Sequence, residues 1–269
     1  APTHIVNIFN IPIPDDYLIL INKPTRYIIY EYLSAEKWVD GFHLKSSINL
    51  NCFLDQVYFF PGFTKNTGGL LIDEKKPKNH YLKFFRNTSE KDWLDFFNVS
   101  IFCYSHSNIQ SVLNVNKSLK INIYIPELII NKYKAIIEWP KHLVAYPFLS
   151  FADYDSLLGL CDLNFVRGED SLVRAIISGK PFIWQPYIQE NSAHFLKLNA
   201  FIDFYFSELQ ESLFKIISNI FKEWAAGKIP LELFKEFFSR IDEFNVYFIY
   251  KSELVLSQKR VINNLMEYC

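Results

Sequence analysis

Glycine is scarce in this chain, 8 residues in 269, where about 7% is usual. Its placement is therefore informative: Gly62, Gly68 and Gly69 cluster, and Gly168 and Gly179 bracket a single helical pattern. Cysteine is equally sparse. Cys52, Cys103, Cys161 and Cys269 show no paired spacing, which excludes a zinc knuckle or a redox pair and leaves reduced thiols as the expected state. The six histidines (His4, His43, His80, His106, His142 and His194) lack an H-x-x-x-H arrangement or a clustered acid, so no metal is expected. No G-x-x-x-x-G-K-[ST], G-x-G-x-x-G or G-x-S-x-G occurs, which removes the P-loop, the dinucleotide fingerprint and the nucleophile elbow. No apolar run approaches the roughly 18 residues that span a bilayer, and the start lacks a signal peptide's basic end and cleavage site. A cytoplasmic protein is expected. With 28 basic and 29 acidic residues the net charge is −1, which argues against broad binding to nucleic acid or to an anionic membrane.

What is present is a large apolar fraction, half of all residues, and an alternation of short strands with helices. Strand patterns fall at His4–Phe9, Arg26–Tyr30, Val57–Phe60, Val99–Tyr104, Ile121–Ile125, Leu143–Phe148, Leu163–Val166 and Phe182–Trp184, and helical ones at Asp15–Ile21, Asn108–Leu113, Tyr154–Leu160 and from Asp170. Such alternation predicts mostly parallel sheets covered by helices, with ligands beyond the carboxyl ends of the strands. From residue 191 the pattern is helical, with segments near 191–205, 208–225, 230–244 and 250–267, and the stripe Phe234, Phe237 and Phe238 reads as core. The polar run at residues 73–79 reads as a surface loop, and the charged residues at 89–92 as the passage into a second domain. The loop at residues 62–71 follows a strand and resembles a phosphate cradle, but a structural turn explains it better.

The stretch CDLNFVRGEDSLVRAIISGK, residues 161–180, combines a strand, a turn and a helix. Arg167, Gly168, Glu169, Asp170 and Ser171 form the turn. A strand-to-helix turn aims unpaired N–H groups and the positive end of the helix dipole outward, a site suited to a diphosphate. Arg167 adds a planar cation, and Glu169 an acceptor for a sugar hydroxyl. An ordinary capped helix with a solvated salt bridge accounts for the same residues. Phe102, Tyr104, Phe148 and Tyr187 are candidates to stack on a base or to donate to phosphate, with core packing as the alternative for each.

The segments EYLSAEKWV (31–39), FFPGFTKNTGGLL (59–71), SIFCY (100–104), YDSLLGLCDLNFVRGEDSLVRAIISGKPFIWQPYIQE (154–190) and AHFLKL (193–198) closely resemble the bacterial protein-arginine rhamnosyltransferases that modify elongation factor P. The resemblance implies an α/β, GT-B-like fold: two Rossmann-like domains facing across a cleft. Residues 1–93 would be a partial N-terminal, acceptor-side domain, residues 94–250 the nucleotide-sugar domain, and residues 251–269 a C-terminal helix packing back on the first. It implies inverting transfer of rhamnose from dTDP-β-L-rhamnose to an arginine of elongation factor P, without a metal or other cofactor. Tyr104 and Ser171 would lie near the diphosphate and Phe148 near the base. Arg167, Gly168, Glu169 and Asp170 complete the turn, Phe102, Tyr187 and Gln189 complete the donor site, and Glu169 matches a residue needed for activity.

Three departures accompany the resemblance. The family opens on a loop bearing Asp-Asn-x-Gly-Asp that supplies the general base; it is not found here. The chain opens at Ala1 without a Met, so the protein's own start is expected upstream, and the chain by itself is expected not to catalyse transfer. Phe151 stands where the family has a Gln, and Tyr187-Ile188-Gln189 replaces Tyr-Pro-Gln. Two rival readings are a non-catalytic module that binds elongation factor P or a nucleotide-sugar, and a GT-B transferase with another donor.

Overall fold

The computed structural model describes residues 2–49, 51–72, 96–104, 107, 109–115, 119–133, 142–189, 192–258 and 260–269. The chain divides into two units, Ala1–Ile72 with Ser257–Cys269, and Asp73–Leu256. The loop expected at 73–79, the passage at 89–92 and the junction at 93/94 lie outside the described residues.

In the first unit, β1 (His4–Ile8), β2 (Thr25–Tyr30) and β4 (Leu54–Phe59) run parallel, and the short β3 (Ser46–Ser47) pairs antiparallel with β4, in the order β1-β2-β4-β3. Because side chains alternate across a strand, β2 and β4 supply two apolar faces. Ile28, Val57 and Phe59 pack against Val261, with Leu265 and Tyr268 beside them, so helix Val261–Tyr268 covers one face. Tyr27, Ile29 and Leu54 pack with Ile21, Ile13 and Leu18 on the other. The expected helix Asp15–Ile21 is shorter, Asp15–Leu18, and two short elements not anticipated are β3 and the helix Val39–Phe42.

The second unit holds five parallel strands: β5 (Phe97–Ile101), β6 (Ile121–Pro126), β7 (Leu143–Tyr146), β8 (Leu163–Arg167) and β9 (Phe182–Gln185). Their order is β7-β6-β5-β8-β9, with Val99 opposite Leu163 and Arg167 opposite Gln185. The chain thus builds outward from β5 in one direction, then crosses back to start again at β8. That reversal is the switch point where a doubly wound sheet opens a crevice at the carboxyl ends of its strands. The crevice falls between the residues after Ile101 and those after Arg167.

Helix Phe151–Leu160 begins at a Ser150 cap, whose Oγ accepts from the Asp153 N–H at 3.2 Å. It therefore starts before the expected Tyr154, and β7 ends at Tyr146, short of the expected Phe148. Helix Glu127–Tyr133 had no counterpart in the reading of the sequence. The last helices also divide differently: Leu231–Ser239, Ile241–Leu256 and Val261–Tyr268 replace the expected 230–244 and 250–267. Apolar periodicity runs across the break at Arg240, so only the backbone marks it. Ser252 of the long helix donates to the Ile177 carbonyl at 2.9 Å, tying it to helix Asp170–Ser178.

Phenylalanine is concentrated in this unit's core. Phe182 meets Phe248 at 5.0 Å, Tyr205 at 5.7 Å and Phe221 at 6.1 Å between ring centroids. Phe234, Phe237 and Phe238 are buried as the helical stripe predicts. The four cysteines are free thiols; Cys103 and Cys161 are buried, and burial pushes the Cys103 thiol up to about 11. Among the described residues no helix is long and apolar enough to cross a membrane.

Candidate functional site

A cavity of about 470 Å³ opens at the switch point of the second unit. Phe102 and Tyr104 reach it from the end of β5, Pro147, Phe148, Leu149 and Phe151 from the end of β7, and Arg167 to Ser171 from the end of β8. All three segments follow the carboxyl ends of strands, where ligands were expected. The strand order explains why they converge.

Arg167 is the centre of the site. Its guanidinium carbon lies 4.4 Å from the Phe102 ring centroid and 4.8 Å from that of Tyr104. Rings hold a cation by their quadrupoles without neutralising it. Among the described residues the guanidinium makes no ion pair and no hydrogen bond, so its N–H groups are available to an anion. Tyr104 in turn meets Tyr187 edge-on at 5.8 Å. Burial raises the Tyr104 pKa, against the pull of Arg167, so its hydroxyl stays protonated and can donate.

The turn after Arg167 is fixed from three sides. Gly168 has φ +65°, a left-handed conformation that favours glycine. Its N–H donates to the Gln185 carbonyl at 3.2 Å, and its carbonyl accepts from Trp184 Nε1 at 2.7 Å. Ser171 Oγ accepts from the Arg167 N–H at 3.1 Å and donates to the Arg167 carbonyl. The Ser171 hydroxyl therefore closes the turn, and it reaches a ligand only by leaving that role. Tyr154 is half-buried and also lines the cavity; burial raises its pKa, with the nearby Ser171 hydroxyl opposing.

The two acids of the turn are both held. Glu169 pairs with Lys197 at 3.1 Å, and Asp170 pairs with Arg174 Nε at 2.9 Å. Arg174 also bonds both oxygens of Asp155, at 3.0 and 2.9 Å. Burial opposes the Arg174 charge, but its bonds to Asp155 and Asp170 outweigh this and raise its pKa. Asp170 is thus tied into a structural cluster, whereas Glu169 stands at the cavity with a cation behind it.

Of the residues singled out from the sequence, Phe102, Tyr104, Phe148, Arg167, Gly168, Glu169, Asp170 and Ser171 line this cavity. Tyr187 and Gln189 are not among its lining residues; Tyr187 touches Tyr104, and the Gln189 N–H donates to His194 Nδ1 at 3.4 Å. Lys197 went unanticipated, and Gln185, on the stretch 184–189 that the sequence places at this edge, had no role assigned. Gln185 Oε1 accepts from the Tyr104 N–H at 3.3 Å and from Ser107 Oγ at 2.7 Å, so it sets the exit from β5. Neither position carries a spacing signal, because both act across the sheet on residues far away in sequence.

The first unit holds a larger cavity, about 630 Å³, bounded by His43, Phe59, Thr64–Thr67 and the C-terminal helix. Its loop side chains are engaged with one another. Thr64 Oγ1 donates to Asp40 at 2.7 Å, Asn66 Nδ2 donates to the same carboxylate at 3.3 Å, and Thr67 Oγ1 donates to the Thr64 carbonyl at 2.8 Å. The smaller cavity lies at the switch point of its sheet, with Arg167 held between two rings beside a helix start, so it is the better candidate. Among the described residues there is no group of three or more His, Cys, Asp or Glu that could hold a metal ion.

Comparison with known proteins bears on this geometry. Residues 1–269 match the family model described as Elongation-Factor P (EF-P) rhamnosyltransferase EarP. A protein-arginine rhamnosyltransferase of Pseudomonas aeruginosa is 31% identical over 234 residues, covering 76% of this chain and 61% of the relative. One from Shewanella oneidensis is 33% identical over 210 residues, covering 66% and 53%. The chain spans about three-fifths of the length of the first of these relatives. A solved structure concerning EarP-mediated arginine glycosylation of translation elongation factor EF-P superimposes with a TM-score of 0.62 at 17% identity, covering 90% of this chain and 98% of that one. At that identity the likeness speaks to the fold, which is of the two-unit, Rossmann-like GT-B type.

Proposed function

The chain belongs to the EarP family of elongation factor P rhamnosyltransferases, and on that premise we propose that its second unit binds dTDP-β-L-rhamnose for inverting transfer of rhamnose to an arginine of elongation factor P in the cytoplasm. The observation that carries this is Arg167, a cation without an anionic partner among the described residues, set between Phe102 and Tyr104 beside the start of helix Asp170–Ser178. A diphosphate meets three kinds of positive potential there. The guanidinium offers paired N–H groups, the helix start offers backbone N–H groups, and Tyr104 offers a protonated hydroxyl. Departure of the nucleoside diphosphate builds negative charge where these donors already point, so they stabilise the transition state without reorganising.

The acceptor is the harder partner. A guanidinium with a pKa above about 12 is a poor nucleophile, and its proton must pass, as the bond to the sugar forms and the bond to the diphosphate breaks, to the general base that the family carries on its Asp-Asn-x-Gly-Asp loop. Glu169, at the cavity wall and paired with Lys197, is assigned the catalytic part supplied by this unit: it accepts a hydrogen bond from the sugar and fixes the anomeric carbon for attack from the face opposite the diphosphate. Phe148, fully exposed at the other end of the cavity, covers the base. Tyr187 and Gln189 are proposed to come to the donor from the segment after β9.

Calorimetry with dTDP-β-L-rhamnose tests the reading. The chain is expected to bind it saturably, and Arg167→Ala to weaken binding by roughly tenfold to a hundredfold, as loss of a charged hydrogen-bond donor implies. Absence of binding, or equal affinity in the variant, refutes the donor site. Mass spectrometry of elongation factor P after incubation with the donor and a protein extended by the Asp-Asn-x-Gly-Asp loop, sought as one deoxyhexose on one arginine, tests the acceptor, whereas this chain by itself is expected to leave the arginine unmodified.

A further inference from the structure

Phe151, the first residue of helix Phe151–Leu160, lines the donor cavity and remains 67% exposed. A phenylalanine left this open to water forgoes most of the stabilisation its ring would gain from burial. The ring is nonetheless held in place. The Arg174 guanidinium lies 4.3 Å from its centroid, and the Arg174 side chain is only 11% exposed. Three hydrogen bonds, two to Asp155 and one to Asp170, fix that guanidinium. A planar cation pinned in this way turns the ring above it into a rigid platform.

Phe148 is fully exposed at the same end of the cavity, with Pro126, Pro147 and Leu149 alongside. None of these residues, nor Phe151, carries a polar side-chain group. A planar ligand lying against Phe148 and Phe151 is met by π faces and aliphatic carbon. Hydrogen bonds to the ring edge tell one base from another, whereas stacking tolerates any base, because each has a π face. Phe148 and Phe151 therefore supply affinity by stacking, while the hydroxyls of Tyr146 and Tyr154 in the same lining can only meet an edge that thymine and uracil share.

We propose that Phe151, backed by Arg174, is a base-stacking residue and that the site accepts thymidine and uridine diphosphates with similar affinity. This rests on the donor-site reading above. It places discrimination between donors at the sugar end of the cavity, where Glu169 and Lys197 stand.

Calorimetry of the full chain with dTDP and with UDP is the test. The two dissociation constants are expected to agree within about fivefold, since stacking is base-tolerant. Phe151→Ala should weaken both by roughly tenfold, the usual scale of a lost stacking partner, while Phe151→Tyr, which keeps the π face, should bind as the wild type does. Thymine and uracil share one hydrogen-bonding edge, so a wild-type preference for dTDP on the order of a hundredfold would show recognition of the thymine methyl group or exclusion of the ribose 2′-hydroxyl and overturn the proposal. Unchanged binding in Phe151→Ala, with binding still lost in Arg167→Ala, would overturn it too while leaving the donor site standing. If neither nucleotide binds the wild type, the donor-site reading falls and this proposal with it.

Discussion

Two glycine-bearing loops, each following a parallel strand, have opposite fates. In the first unit the loop after β4 turns its polar groups on itself: the Gly62 N–H donates to the Gly69 carbonyl, the Gly68 N–H donates to the Phe60 carbonyl, and Asp40 holds Thr64 and Asn66. In the second unit the turn after β8 closes through Gly168 and Ser171 but leaves the Arg167 guanidinium at the cavity with no ion pair among the described residues. The glycines differ in kind as well. Gly68 is required for close approach, since a Cβ there would lie 2.3 Å from the ring of the fully buried Phe59. Gly168 is required for conformation: its φ is +65°, and a Cβ would lie 3.4 Å from Tyr104 Oη. A glycine after a strand therefore does not identify a ligand site. What the neighbouring side chains leave unsatisfied does.

The largest effect expected from this contrast is that of Gly68→Ala. The Phe59 ring is core and cannot swing aside, so overpacking should cost about 3 kcal/mol, read as a fall in thermal midpoint. A variant as stable as the wild type would mean the loop is not packed as described. Gly168→Ala should cost less stability, about 1 kcal/mol for a left-handed non-glycine residue, yet weaken dTDP binding by disturbing the Arg167 turn. Unchanged calorimetric affinity would place the turn outside the donor site.

The smallest effect concerns His43, whose Nδ1 accepts the Phe60 N–H at 3.1 Å as the chain enters the first loop. Burial lowers the His43 pKa, with Asp40 opposing. The unfolded chain therefore takes up the proton first as pH falls below about 6.5. The stability this histidine contributes is complete above that value and is lost as pH falls toward its lowered folded pKa. Melting curves at about pH 7 and about pH 5 should show a smaller acid-induced drop in His43→Gln than in the wild type. An identical drop would mean that this ring does not titrate with folding.

Much of the fold was legible because strand and helix periodicities are local. The alternation through residues 97–185 and the helix opening at Asp170 come from side-chain spacing alone, and the buried Phe234, Phe237 and Phe238 from a helical stripe. Boundaries without a change of periodicity were not legible. The break at Arg240 interrupts a continuous apolar pattern, and the Ser150 cap moves a helix start that apolar spacing alone places later.

At the site, the sequence by itself determined the chemistry of the parts: a cation, a glycine, two acids and a hydroxyl between a buried strand and an amphipathic helix. It also carried the family, through long ordered motifs. Only the tertiary structure decided how those parts are used. Strand order put β5 beside β8 and so brought Phe102 and Tyr104 onto Arg167. Packing of later helices and strands gave Glu169 its Lys197 and set Gln185 against Tyr104, and the fold seated Phe151 on Arg174. These pairings join residues far apart in sequence on different strands and helices, and no local periodicity encodes which element lies next to which.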